Sequence, residues 1–164
     1  NFGIDSNIID VIYNPIDATK FKVSKNTTKR DKKRILFVGT IDYLRKETIK
    51  DLIQTTGANN QELWLVGKLN GVTLEELNMG NHVKYFPPTP NVEKYIHDCD
   101  ETAGILLGRT TIEGWMCGKP SWIYKVDSGG FILSKEKFNP PTDIEKYYAS
   151  NVASLIKEQY KKVL

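Results

Sequence analysis

Cysteine is scarce in this chain: Cys99 and Cys117 are the only two, and they are not at metal-ligand spacing. This excludes a disulfide-dense scaffold and a thiolate zinc site, and it suggests a reducing compartment. Each thiol reads as a small buried residue. Histidine is equally rare, and neither His82 nor His97 has carboxylate or thiol partners at ligand spacing. No apolar run approaches the ~20 residues that cross a bilayer. Neither sign of charge dominates: 23 Lys and Arg against 20 Asp and Glu leave a net charge of +3. That permits an anionic ligand and falls far short of the basic balance of a nucleic-acid binder. P-loop, nucleophile–base signature, internal repeat and low-complexity tract are all missing. So is GxGxxG, which argues against a nicotinamide dinucleotide site. The chain opens on Asn1 with no signal-peptide pattern after it, and it reads as a cytoplasmic piece of a longer protein.

What is present is an ordinary globular composition, 40% hydrophobic and 26% charged over 164 residues, enough for one domain with a sizeable core. Continuous apolar runs mark buried strands at 34–40, 62–67, 103–107 and 122–124, with an alternating strand at 82–86. Between them lie helical patterns at 46–54, 73–77 and 91–99. Thr73 and Glu76 form a capping-box spacing at the start of the second. Thr19 to Lys33 reads as a solvated, lysine-rich loop, and its basic run offers a charged patch as the alternative. Asp127-Ser128-Gly129-Gly130 is a turn. After Pro140-Pro141, the span 143–163 carries apolar residues at helical spacing and reads as a helix docked on the sheet. Its Lys157–Lys162 end also offers a contact with an anionic membrane surface. Strict strand–helix alternation predicts an α/β fold, a Rossmann-like parallel sheet of about six strands with helices on both faces.

The stretch Gly108-Arg109-Thr110-Thr111-Ile112-Glu113-Gly114-Trp115-Met116-Cys117-Gly118-Lys119-Pro120 organises the rest. It follows one buried strand and precedes another. Thr110 or Thr111 can cap its helix, Gly118 can stop it, and Pro120 lies just beyond. Glu113 then falls in the first helical turn at the carboxyl end of a strand, where open α/β sheets bind ligands. A carboxylate there accepts hydrogen bonds from ligand hydroxyls, and free helix N–H groups take a phosphate. The alternative for Glu113 is a helix-start carboxylate favoured by the dipole.

This stretch resembles the donor-site segment of retaining glycosyltransferases of family 4, which have the GT-B fold. Other pieces match in the same order. Val11 to Asp17 with Phe21 resembles the connection into that family's C-terminal domain. Ile35-Leu36-Phe37-Val38-Gly39 followed by Lys46 resembles its first strand and phosphate-contacting loop, and Leu63 to Gly67 its second strand. The resemblance covers roughly residues 11 to 133.

The resemblance implies the C-terminal half of a GT-B enzyme: a connection over 1–20, a nucleotide-sugar-binding domain over 21–140 and a C-terminal helix over 141–164. It implies Glu113 as the ribose ligand, Gly39, Lys46, Arg109, Thr110 and Thr111 around the donor diphosphate, and Phe86 and Pro87 bordering the base. Ser128, Gly129 and Gly130 would line the sugar pocket. The substrate would be a nucleoside diphosphate sugar, with no other cofactor and no metal. A glycan or lipid-linked acceptor would arrive from a missing N-terminal domain. Lys46 has the alternative of a solvated helix-start lysine, Gly39 of a strand terminator, and Arg109 of a partner to a surface carboxylate. Two positions depart from the family pattern. Ile105 stands where a first Glu would hold the donor sugar, and Thr40 stands where an Arg usually follows the strand glycine. They point to a non-catalytic ligand-binding or interaction module on the same fold as the alternative, and a sugar-nucleotide epimerase on the GT-B scaffold is a third reading.

Overall fold

A computed structural model describes residues 12–23 and 30–163. Most of the expected 1–20 connection, and residues 24–29 of the lysine-rich loop, lie outside the described residues.

Six strands form one sheet: β1 (Arg34–Val38), β2 (Glu62–Val66), β3 (Val83–Phe86), β4 (Glu101–Ile105), β5 (Ser121–Val126) and β6 (Ile132–Phe138). The helices are α1 (Tyr43–Ala58), α2 (Leu74–Leu77), α3 (Val92–His97), α4 (Arg109–Met116) and α5 (Ala149–Val163), with a 3-10 turn at Ile144–Tyr147. Strand order is β3-β2-β1-β4-β5-β6. The first five strands run parallel, and β6 runs antiparallel to β5.

The apolar runs are continuous because both faces of the sheet are buried. Ile35, Phe37, Leu63 and Leu65 point to one face and pack with Ile49, Leu52 and Ile53 of α1 and Leu77 of α2. Leu36 and Val66 point to the other, against Ile96 of α3 and Ile112, Trp115 and Met116 of α4. Ile16, Phe21 and Tyr147 close that second layer. Ile16 is held by a backbone hydrogen bond to the Tyr147 carbonyl at 2.9 Å, and Ala149 N–H donates back to the Ile16 carbonyl at 3.2 Å. Residues 16–21 are thereby pinned beside α3 and α4.

Three expectations change in detail. The sheet is not wholly parallel, because residues 127–131 alone separate β5 from β6. No crossover helix fits in so short a link, so the strand must turn back. The Asp127 carboxylate shapes this turn by accepting from Gly129 N–H at 2.8 Å and Phe131 N–H at 3.0 Å. Helix α1 begins at Tyr43 rather than Lys46, because Asp42 caps it by accepting from Arg45 N–H at 3.1 Å. The expected final helix over 143–163 divides at Tyr148, whose extended backbone (ψ 136°) ends the 3-10 turn before α5 starts. The capping box at Thr73 and Glu76 forms as its spacing predicts.

Candidate functional site

The strand order reverses between β1 and β4, and a crevice opens at the carboxyl ends of those two strands, as open α/β sheets require. Asp17, Lys20, Phe21, Val38, Pro90, Val92, Glu93, Arg109, Thr110 and Glu113 line a cleft of about 360 Å³. A cleft of this size falls within the range of small-molecule and cofactor sites.

Helix α4 positions the centre of this cleft. The chain leaves β4 through Leu106, whose φ of +58° is unusual for a bulky side chain, and Gly108 serves as the N-cap without a side-chain hydrogen bond. Neither Thr110 nor Thr111 is the cap. The tight reversal at Leu106 starts the helix sooner, so Arg109 opens it and Glu113 sits in the second turn rather than the first. That places the carboxylate deeper than the sequence suggested, at 6% exposure. Arg109 reaches one helical turn along and donates from Nε to Glu113 Oε1 at 2.8 Å, while 66% of its own side chain stays in solvent.

Burial raises the Glu113 carboxyl above the usual carboxylate range; the Arg109 hydrogen bond and charge oppose the rise, and the charge of Glu93 adds to it. A nearly buried carboxylate with one exposed cationic partner is a costly arrangement for a fold to keep. Perturbed carboxyls in clefts mark functional sites.

The other expected site residues do not line this cleft. Gly39 ends β1 and donates from N–H to the Val66 carbonyl at 3.0 Å. Lys46 turns to α2 and pairs with Glu76 at 2.7 Å. Arg45, beside it, pairs with Asp42. Thr111 is buried at 2% exposure, behind the helix start. Phe86 packs edge-on against Trp64 and Tyr95, each with ring centroids 5.0 Å from its own, and Pro87 is exposed after it. Gly130 backs onto the first turn of α1, where a Cβ would lie 2.6 Å from the Leu44 carbonyl oxygen, and this seats the Ser128–Gly130 turn beside α1. The structure therefore gathers Arg109, Thr110 and Glu113 in one cleft, and Gly39, Lys46, Phe86, Pro87, Ser128, Gly129 and Gly130 are not among the residues that line it.

Sequence reasoning assigned no site role to Asp17, Lys20 or Glu93. Asp17 carried one local signal, a short polar side chain followed by Thr19; its carboxylate accepts from Thr19 N–H at 2.9 Å and Thr19 Oγ1 at 2.6 Å, as an Asx turn does. Glu93 looked like any exposed helix residue, and only the folding of α3 beside α4 brings it to the cleft. Among the described residues, no group of three or more His, Cys, Asp or Glu side chains is placed to hold a metal ion. No helix there is long and apolar enough to cross a membrane.

No protein-family model matches the sequence, and no curated protein is similar to it in sequence. Solved structures do resemble it. Alr3699/HepE from Anabaena, in complex with UDP-glucose, superposes with a TM-score of 0.55 at 18% identity, over 97% of this chain and 50% of that one. AviGT4, a glycosyltransferase involved in avilamycin A biosynthesis, gives a TM-score of 0.59 at 12% identity, over 91% of this chain and 56% of that one. A glycosyltransferase from Rickettsia africae gives 0.53 at 16% identity, over 80% and 41%. The chain has the α/β fold of a part of these proteins. It spans between 41% and 56% of their length.

Proposed function

We propose that this chain is the donor-binding half of a glycosyltransferase, with a nucleoside diphosphate sugar in the β1–β4 cleft. One observation carries the reading: Glu113, nearly buried at the topological switch point, its charge met among the described residues only by an exposed Arg109. A ribose diol offers two adjacent hydroxyl donors to such a carboxylate. The first turn of α4 and the freed Arg109 guanidinium then face the diphosphate, where positive charge stabilises the departing nucleotide. Gly39 lets the end of β1 approach the phosphates, and Lys46 joins them by leaving Glu76. Phe86 and Pro87 border the base, and the Ser128–Gly130 turn borders the sugar. The acceptor, a glycan or a lipid-linked sugar, comes from a second domain, and the diphosphate is held without a metal.

A second reading, a binding module without transferase activity, has its own support. Ile105 is packed against the core on the α1 side of the sheet and presents no carboxylate to a donor sugar, and Thr40 supplies no cation after Gly39.

Calorimetric titration of the protein with UDP, GDP and a UDP-sugar, repeated on Glu113→Gln, tests the donor site. Saturable binding in wild type and its loss in the variant support it. Binding that survives in Glu113→Gln removes Glu113 from the site. Incubation of the full-length protein with labelled donor and glycan acceptors then separates transferase from module: label moves to an acceptor only in the first case.

A further inference from the structure

Among the described residues, three carboxylates line the cleft, and two of them are engaged. Asp17 is closed onto Thr19 and Glu113 onto Arg109. Glu93, half-buried at the start of α3, makes no hydrogen bond and no ion pair among the described residues. It stands beside an apolar wall formed by Phe21, Val38, Pro90 and Val92. Glu113 lines the same cleft, and the charge of Glu93 adds to the rise of its carboxyl. The wall gives a flat ring a surface to lie on, and the free carboxylate gives the edge of that ring something to read.

We infer that Glu93 selects the base of the bound nucleotide and that the cleft prefers guanine over uracil. The inference rests on the nucleotide reading above. An ionised carboxylate only accepts hydrogen bonds. Guanine presents two adjacent donors, N1–H and the exocyclic N2–H, in the parallel arrangement that matches two carboxylate oxygens, as an arginine fork does. Uracil presents a single N–H flanked by two carbonyl oxygens, and both carbonyls are repelled by the carboxylate. Adenine and cytosine each place a ring acceptor beside their amine. Guanine is therefore the one common base with two donors side by side on this edge. With the ribose on Glu113, Glu93 is the carboxylate left for that edge.

The test is a pair of titrations of the intact protein, with GDP and with UDP, on wild type and on Glu93→Gln. A good bidentate base contact discriminates by roughly tenfold or more, so GDP should bind at least about tenfold tighter than UDP. Glu93→Gln replaces one acceptor by a donor, and the ratio should fall to within about threefold through weaker GDP binding. UDP binding as tightly as GDP in wild type, or a ratio that Glu93→Gln leaves unchanged, overturns the inference. Either result leaves the nucleotide reading standing, provided that Glu113→Gln still abolishes binding. If neither nucleotide binds wild type, the nucleotide reading fails and takes this inference with it.

Discussion

Replacing Gly67 by alanine should destabilise the fold and disturb the cleft, because the ends of β1 and β2 touch there through backbone alone. A Cβ at Gly67 would lie 1.8 Å from the Gly39 carbonyl oxygen and 2.8 Å from its carbon. Ordinary carbon contacts begin at about 3.5 Å, so the two strand ends would have to part by roughly 1.5 Å. Neither end is free to move: Gly39 N–H is bonded to the Val66 carbonyl at 3.0 Å, and Gly67 N–H to the Phe86 carbonyl at 3.1 Å. Overpacking of this kind costs about 1–3 kcal/mol. The φ of +156° at Gly67 is also unfavourable for alanine, and such backbone strain adds about 1–3 kcal/mol. A loss of about 3–4 kcal/mol is expected, which for a domain of this size lowers Tm by about 10 °C.

Gly71→Ala is the control. Gly71 has a φ of +71° with nothing within 4 Å of its added Cβ. It should lose only the conformational part, about 1–2 kcal/mol. Urea and thermal unfolding followed by far-UV circular dichroism measure both variants. A Gly67→Ala loss within 1 kcal/mol of the Gly71→Ala loss would refute the steric argument, about 1 kcal/mol being the smallest overpacking cost expected. Nucleotide affinity of still-folded Gly67→Ala should drop as well, since Gly39 must shift.

Three further outcomes follow from the buried and paired groups. Glu113→Gln should be more stable than wild type near neutral pH. A carboxyl whose folded pKa is raised stabilises the fold below its unfolded value and loses that contribution as pH rises through the folded value. The gain in urea midpoint at pH 7 should vanish near pH 4, while nucleotide binding is lost at neutral pH. Burial alone would raise the Glu62 carboxyl, but Lys84 and Arg34 outweigh it and hold the pKa at about 2. Glu62→Gln should therefore cost about 1–3 kcal/mol at pH 7, a deficit that shrinks as pH falls from 4.5 towards 2; a deficit independent of pH would show that packing, not charge, is lost. Burial pushes Cys99 up to about 12 and Cys117 up to about 11. Native protein at pH 8 should resist iodoacetamide and take up two labels only in denaturant, as intact mass would show.

Much of the fold was legible along the chain because its signals are local. The Ile35–Val38 and Leu63–Val66 runs, apolar on both faces, could only be buried strands. The Thr73–Glu76 capping box needs no tertiary partner, and the Asp127–Gly130 turn closes on its own side chain. Rossmann-like order followed from these, and so did the position of Glu113 at a strand's carboxyl end. What the sequence could not carry were relations between distant segments. The antiparallel return of β6 depends on how few residues span the β5 edge, not on the residues of β6 itself. The early start of α4 depends on Leu106 adopting a positive φ, a backbone state that leucine does not advertise. The Arg109–Glu113 pair forms only once that helix begins at Arg109. Asp17 and Glu93, 76 positions apart in sequence, meet at the cleft because Ile16 is tied to Tyr147 and α3 packs beside α4. Local periodicity decided the elements; the free energy of burying both sheet faces decided which side chains would share the cleft.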